Sequence, residues 1–479
     1  METTEDDEWM SVDEVIVRHD KDGKMHLKNL FGRGKTARSI AAALLVSAGG
    51  LGAGAHAQAS SPVTVTVWSW RSQDAPMWQQ IQQALQAKGE NIHIDFTSKI
   101  ATQYDAVLQT AMTGGKGPDV FYGRAGVGTV NYAAAHLIAP LSGKVNLSQV
   151  ASSTLSSTQY QGKYYGVPFA TQTMAIFYNK ALFKQYHLSV PSTWAQLLKD
   201  CATLKANGVT PFYVMGIQQW LLALSMETIG ASTVSDTWAQ TVVNRKAGYN
   251  SAPYIRTLAK YQQLVPYFEH NYSAVGSTGS EQEQALGLGR TAMIFDGIFD
   301  VPTMMQYNPN LQLGEFLVPP DSSLPQPKAW YTPKARVEWY VDGDIALNAH
   351  ISNSAEAAAA LKVVQFSATP AFGQLFSNIA GEISPIEGVK IPSKYPLSIT
   401  AYNYFQHDRI DPIVGIRSPM DTPPPTPITA KSKTVSGSNQ GIFSAEMSIA
   451  DSLINSKLTP QQATSKIQSS LSWYFKGKS

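Results

Sequence analysis

Between Ser61 and Gly123 the chain alternates strand and helix signals in an order that few architectures accept. "SPVTVTVWSW" (61–70) alternates valine and threonine before its aromatic end, the pattern of a strand. "DAPMWQQIQQALQAKG" (74–89) sets Met77, Trp78, Ile81 and Leu85 at helical spacing, with Asp74 as a candidate cap and Gly89 as the stop. "IHIDFTS" reads as a second strand, "ATQYDAVLQTAMTGG" as a second helix and "PDVFYG" as a third strand. A β-α-β-α-β run implies an α/β domain with a mainly parallel sheet, because parallel neighbours need a crossover between them.

After Gly162 the pattern of strand and helix signals changes phase. "TMAIFYNKALFKQY" runs from strand into helix, and "STWAQLLKDCATLKANG" is a helix with Ser192 as cap and Gly208 as stop. "EQEQALGLGRTAMIFDG" is a helix, a glycine break and a strand, and "VDGDIALNAHIS" is a further strand. "GKYYGVPFATQTMAIFYNK" (162–180) interrupts an aromatic run with Thr171, Gln172 and Thr173. An ordinary buried strand would not carry three polar residues at its centre.

The first sixty residues read differently. Lys28, Arg33, Lys35 and Arg38 precede a short apolar run from Ser39 to Leu51 and small-x-small sites at Ala55–Ala57 and Ala57–Ala59. This is the design of a secretory signal peptide, assigned to 25–57. Residues 1–24 carry nine acidic and three basic residues, so they read as a misassigned or dispensable extension. With no cysteine at the cleavage region, a lipid anchor is not expected, and a soluble periplasmic protein is.

Several classes fall away. A net charge of +2 over 479 residues gives no basic footprint for nucleic acid. The single cysteine, Cys201, sits at a helical core spacing and cannot form an internal disulfide, and no Cys/His pattern has zinc spacing. There is no nucleophile-elbow, zinc-protease or phosphate-loop motif. No cofactor, no metal and no catalytic residue is expected.

Six blocks, taken in order, resemble one family. They are "VTVTVWSW", "GKGPDVFYG", "GKYYGVPFATQTMAIFYNKALFKQY" with "VPSTWAQLL", "GLGRTAMIFDG", "ISNSAEAAAALKVVQF" and "LTPQQATSKIQSSL". Together they resemble the extracellular solute-binding proteins of bacterial ABC importers, in the carbohydrate-binding family that includes the maltose-binding protein. The resemblance implies two α/β lobes with a ligand cleft between them, crossed near 170–173, 295–296 and 350. It divides the chain into an N-lobe of 60–172 with 296–350 and a C-lobe of 173–295 with 351–479. It implies a monomer that captures a small carbohydrate by hinge closure and delivers it to membrane permease subunits, without enzymatic activity. A polyol phosphate, an organic acid or a polyamine is the alternative solute, and a secreted carbohydrate-active enzyme the remote one.

A sugar presents hydroxyls at its rim and C–H faces above and below, so its binder needs planar polar groups and aromatic planes. In open α/β sheets ligands lie beyond the carboxyl ends of strands. Taken with the first ligand loop and the crossings that the resemblance implies, those criteria point to Trp70, Arg71, Gln73, Tyr122, Arg124, Gln172, Gln219, Trp220, Asp296, Trp339, Tyr340, Asp342 and Gly343 as ligand contacts. Arg71 and Arg124 together could hold a carboxylate or phosphate, while Asp296, Asp342 and Asp344 would favour a cation. Glu382, in "IAGEISPIEG", lies in a loop that the resemblance turns toward the cleft.

Overall fold

The computed structural model describes residues 61–320, 335–407, 415, 419–421, 423–424 and 440–476, with three short strands nearer the start. Residues 1–59 form a unit of their own, in which Met10–Val12, Val15–His19 and Met25–Asn29 make an antiparallel sheet. The rest of the expected signal peptide and most of the proline-rich stretch 421–440 lie outside the described residues.

The unit that begins at Ser60 is built on one eight-stranded sheet. Its strands are β1 (Val63–Ser69), β2 (Ile92–Ser98), β3 (Val120–Gly123), β4 (Gly166–Asn179), β5 (Thr210–Phe212), β6 (Thr291–Gly297), β7 (Leu313–Phe316) and β8 (Glu338–Leu347). They lie in the order β5-β6-β4-β8-β3-β1-β2, with β7 paired to β4. The opening alternation forms as read: helices Ala75–Ala87 and Ala101–Thr113 separate β1, β2 and β3, which pair in parallel. β5 and β6 are parallel as well. The pairs made by β4 and β8 are antiparallel, so the α/β fold carries a mixed sheet at its centre.

β4 is fourteen residues long and buried throughout. Phe169 and Ala170 belong to a core with Val65, Trp78, Phe121 and Ile345, whereas Ile176 belongs to another with Trp194, Phe212, Phe295 and Ile467. The change of core falls at Thr171–Thr173. These residues are strand rather than an exposed segment, with Gln172 fully buried. Part of their polarity is met by partners: the Thr171 hydroxyl donates to the Ile383 carbonyl at 3.2 Å, and Gln172 Nε2 donates to Glu382.

The other boundaries run differently from the expectation. After β6 the chain stays with the second half: Ile298, Met304 and Leu311 pack with Phe177 and Ile294, and β7 pairs with Ile176–Asn179 of β4. The return crossing is β8 itself, between Tyr340, which packs with Met174 and Leu221, and Ile345 in the first core. Helices Ser354–Ser367 and Pro370–Ala380 then cover the first half through Val363, Val364, Phe372 and Phe376, so the region past His350 does not reach the second half until Ile383. The pairing partner of a strand decides these boundaries, and that partner is remote in sequence. Among the described residues no helix is long and apolar enough to cross a membrane.

Candidate ligand-binding site

The two cores meet along a belt of buried polar side chains, with Arg71 at one end of it. Arg71 follows β1 and is 3% exposed. Its Nε donates to Asp74 Oδ2 at 2.9 Å, its Nη1 to Asp342 Oδ2 at 3.4 Å and its Nη2 to Glu382. The guanidinium also lies 5.7 Å from the Phe169 ring and 5.6 Å from the Phe376 ring. Burial pulls the arginine pKa down, but attraction to Asp74, Glu382 and Asp342 outweighs it and holds the group above its ordinary value. Arg71 is thus fully engaged inside the protein and does not, with Arg124, present a fork to an anionic ligand.

Asp74, read from sequence as a helix cap, makes no capping bond to the helix it precedes. Its carboxylate is claimed by Arg71 and by the Tyr122 hydroxyl, which donates to it at 2.8 Å. Tyr122 in turn accepts from Trp78 Nε1 at 3.1 Å and is fully buried. It belongs to the first core and offers no ligand-facing plane.

Trp70 is half-buried, edge-on to Tyr104 and Tyr122 at 5.3 and 5.6 Å between centroids. The Arg124 guanidinium covers its ring at 3.7 Å and reaches Asp105 at 3.4 Å. Gly343 makes this packing possible. A Cβ there would come within 2.7 Å of the Gly123 carbonyl oxygen and 2.8 Å of the Trp70 and Phe169 rings. β8 changes register on either side of Gly343, so Asp342 is the bulged residue aimed at Arg71.

At the centre of the belt Glu382 accepts from both Arg71 and Gln172, and burial pushes its pKa up to about 7 despite Arg71. The Gln172 carbonyl oxygen is buried without a donor. Tyr340 stands opposite Gln172 across the β4–β8 pair. It lies within electrostatic reach of Asp342, Asp296 and Glu382, which follow burial as causes of its raised pKa.

On the second half, Trp220 opens helix Gln219–Thr233, half-buried, with Nε1 donating to Gln218 Oε1 at 2.9 Å. Its ring is tilted against Phe299 at 6.2 Å. Asp296, on β6, is fully buried and accepts from the Gly297 N–H at 2.7 Å and from Gln282 Nε2 at 3.0 Å.

The structure therefore brings together Arg71, Gln172, Tyr340, Asp342 and Asp296, with Trp220 and Trp70 on the two sides. Gln73 and Gln219 are exposed, and Trp339 is buried opposite Thr173. Asp74, Glu283, Phe299 and Asp300 were not among the candidates. Asp74 stands three residues after Arg71, and Phe299–Asp300 follow Asp296–Gly297, so proximity to chosen residues was the available signal.

The fold and this central polar belt define a two-lobed binding protein. Residues 69–373 match the model of the bacterial extracellular solute-binding protein family, and the chain belongs to that family. A "Multiple sugar-binding protein" of Streptococcus mutans is 23% identical over 245 residues, 49% of this chain and 57% of that protein. The chain thus spans about half the length of the curated relatives it matches. Among solved structures, one from work on xylan utilization by Caldanaerobius polysaccharolyticus superposes with a TM-score of 0.67 at 20% identity, covering 85% of this chain and 99% of that one. The GacH receptor of Streptomyces glaucescens, studied unliganded and with acarbose, gives 0.66 at 16% identity, covering 87% and 99%.

Proposed function

We propose that this chain is the soluble capture component of an ABC importer and that it takes a sugar or oligosaccharide between its two halves. One observation carries the reading. Asp342, 15% exposed, and the Gln172 carbonyl oxygen, which has no donor, lie where β4 and β8 pass between the cores, flanked by Trp70 on one side and the Trp220–Phe299 pair on the other, with the paired Arg71 and Glu382 behind them. Hydroxyls and sugar faces require that combination. The relatives named for sugar binding support it. β4 and β8 are then the hinge strands, Thr171–Thr173 and Val341–Gly343 their flexing points, and permease subunits the recipients of the closed monomer. Residues 25–57 act as the export signal, the mature protein is periplasmic, and it performs no chemistry on its ligand.

A melting-temperature screen against mono- and oligosaccharides, polyol phosphates, organic acids and polyamines tests this. A ligand bound only by the native state must raise the melting point. A saccharide hit is expected, with Trp220→Ala weakening it at least about tenfold through loss of one aromatic face. A screen in which only charged non-sugars respond overturns the saccharide reading. A specific observation favours a polyamine as the second reading: buried carboxylates outnumber the one arginine among them.

A further inference from the structure

We infer that Glu283, Asp296 and Asp300 form a binding site for a hard divalent cation of the calcium class. One oxygen from each carboxyl lies within 4.8 Å of the others. The three come from different elements: the helix Glu281–Gly287, the end of β6 and the turn Ile298–Asp300. Glu283 is the independent sign of a missing partner. It is 1% exposed, it points into the pair made by Asp296 and Asp300, and no well-formed hydrogen bond reaches either of its oxygens, the neutral Gln282 and Asp296 itself being the groups within looser reach.

The neighbours do not supply the missing charge. Asp296 is served by the Gly297 N–H and Gln282 Nε2, and Asp300 by the Thr303 hydroxyl at 3.4 Å, all neutral donors. Arg71 is the cation whose field reaches Asp300, and its own bonds go to Asp74, Asp342 and Glu382. Without a cation the cluster must hold protons. Burial and the Asp300 charge push Glu283 up to about 8, and burial with the Glu283 charge raises Asp296. Carboxylate oxygens without sulfur or imidazole select calcium, magnesium or manganese over softer ions. Asp300 is the least buried of the three.

The site shares Asp296 with the belt read as the saccharide site, but its test uses no sugar, so the two readings fail separately. The full chain, stripped with EDTA, is melted at neutral pH with CaCl2, MgCl2 or MnCl2 at matched ionic strength, and CaCl2 is titrated calorimetrically. The expected result is one site per chain and a rise of about 2–5 °C in melting temperature. Glu283→Gln and Asp300→Asn should each abolish the rise, while the metal-free Glu283→Gln protein melts no lower than the parent. No rise with any of the three salts overturns the site. So does a rise that persists in either variant, which locates the ion elsewhere.

Discussion

Two groups of buried carboxylates lie a few residues apart along the same belt, and they are compensated in opposite ways. Around Arg71, Asp74 and Glu382 share one guanidinium, with Asp342 at its edge and donors from Tyr122 and Gln172. Around Glu283, three carboxyls face each other with neutral donors to two of them and no well-formed donor to the third. The first group is a closed electrostatic unit; the second is open. A buried charge is tolerated when it is paired and hydrogen-bonded, and otherwise it takes up a proton or an ion. The difference separates a group that fastens the two halves together from one that can still accept something.

The sharpest way to break this comparison is to remove the arginine. Arg71→Met should cost about 3–5 kcal/mol, because it strands buried carboxylates without a counter-charge. Urea unfolding measures this, and a loss under about 1 kcal/mol would mean the first group is not closed. The opposite sign is expected in the second group. Glu283→Gln, measured without divalent cations near pH 8, should gain about 1–2 kcal/mol by removing a self-repelling charge.

Asp344 tests an intermediate case, a single buried carboxyl with one hydroxyl donor, Thr129. Burial raises its pKa to about 7, well above that of the unfolded chain. The folded state therefore holds a proton that the unfolded state has released. This contribution is present below pH 4 and is lost as pH rises through about 7. Asp344→Asn should flatten the decline in melting temperature between pH 5 and pH 8, an effect on the order of 2 kcal/mol. An unchanged slope would assign the decline to other groups. The smallest effect belongs to the surface: Arg124→Ala uncovers Trp70 and breaks the contact with Asp105, at about 0.5–1 kcal/mol. A loss above about 2 kcal/mol would show that Trp70 depends on its cover.

How much of this was legible in the sequence depends on range. The opening β-α-β-α-β run was, because its signals are local periodicities and stops. The crossing near 170–173 came from the family resemblance, and its local mark is the polar Thr171–Thr173 inside an apolar strand. The fold came from blocks such as "GLGRTAMIFDG", each short and self-contained. The later lobe boundaries were not legible, since the course of the chain after β6 depends on β7 finding Ile176–Asn179. Nor was the belt. Arg71 and Glu382 stand 311 positions apart, and nothing near Asp74 says that its carboxylate will turn toward an arginine instead of capping a helix. Tyr122 was misjudged for the same reason: a strand-end aromatic looks alike whether its hydroxyl faces a cleft or an aspartate.

The β4–β8 pair also sets a clock. Gln172 and Tyr340, opposite each other at the middle of the sheet, are 168 positions apart. At about 5–20 residues per second, synthesis takes about 10–30 s to pass from one to the other. Until then the first part of β4, from Gly166 to Thr173, has no strand beside it, although β6 and β7 already serve its second part, and the first half lacks both β8 and the helices that cover it. Pairing across so long a loop is intrinsically slow. The ribosome therefore holds an unfinished sheet for many seconds, long enough for a chaperone or a translocase to engage a chain that cannot yet close.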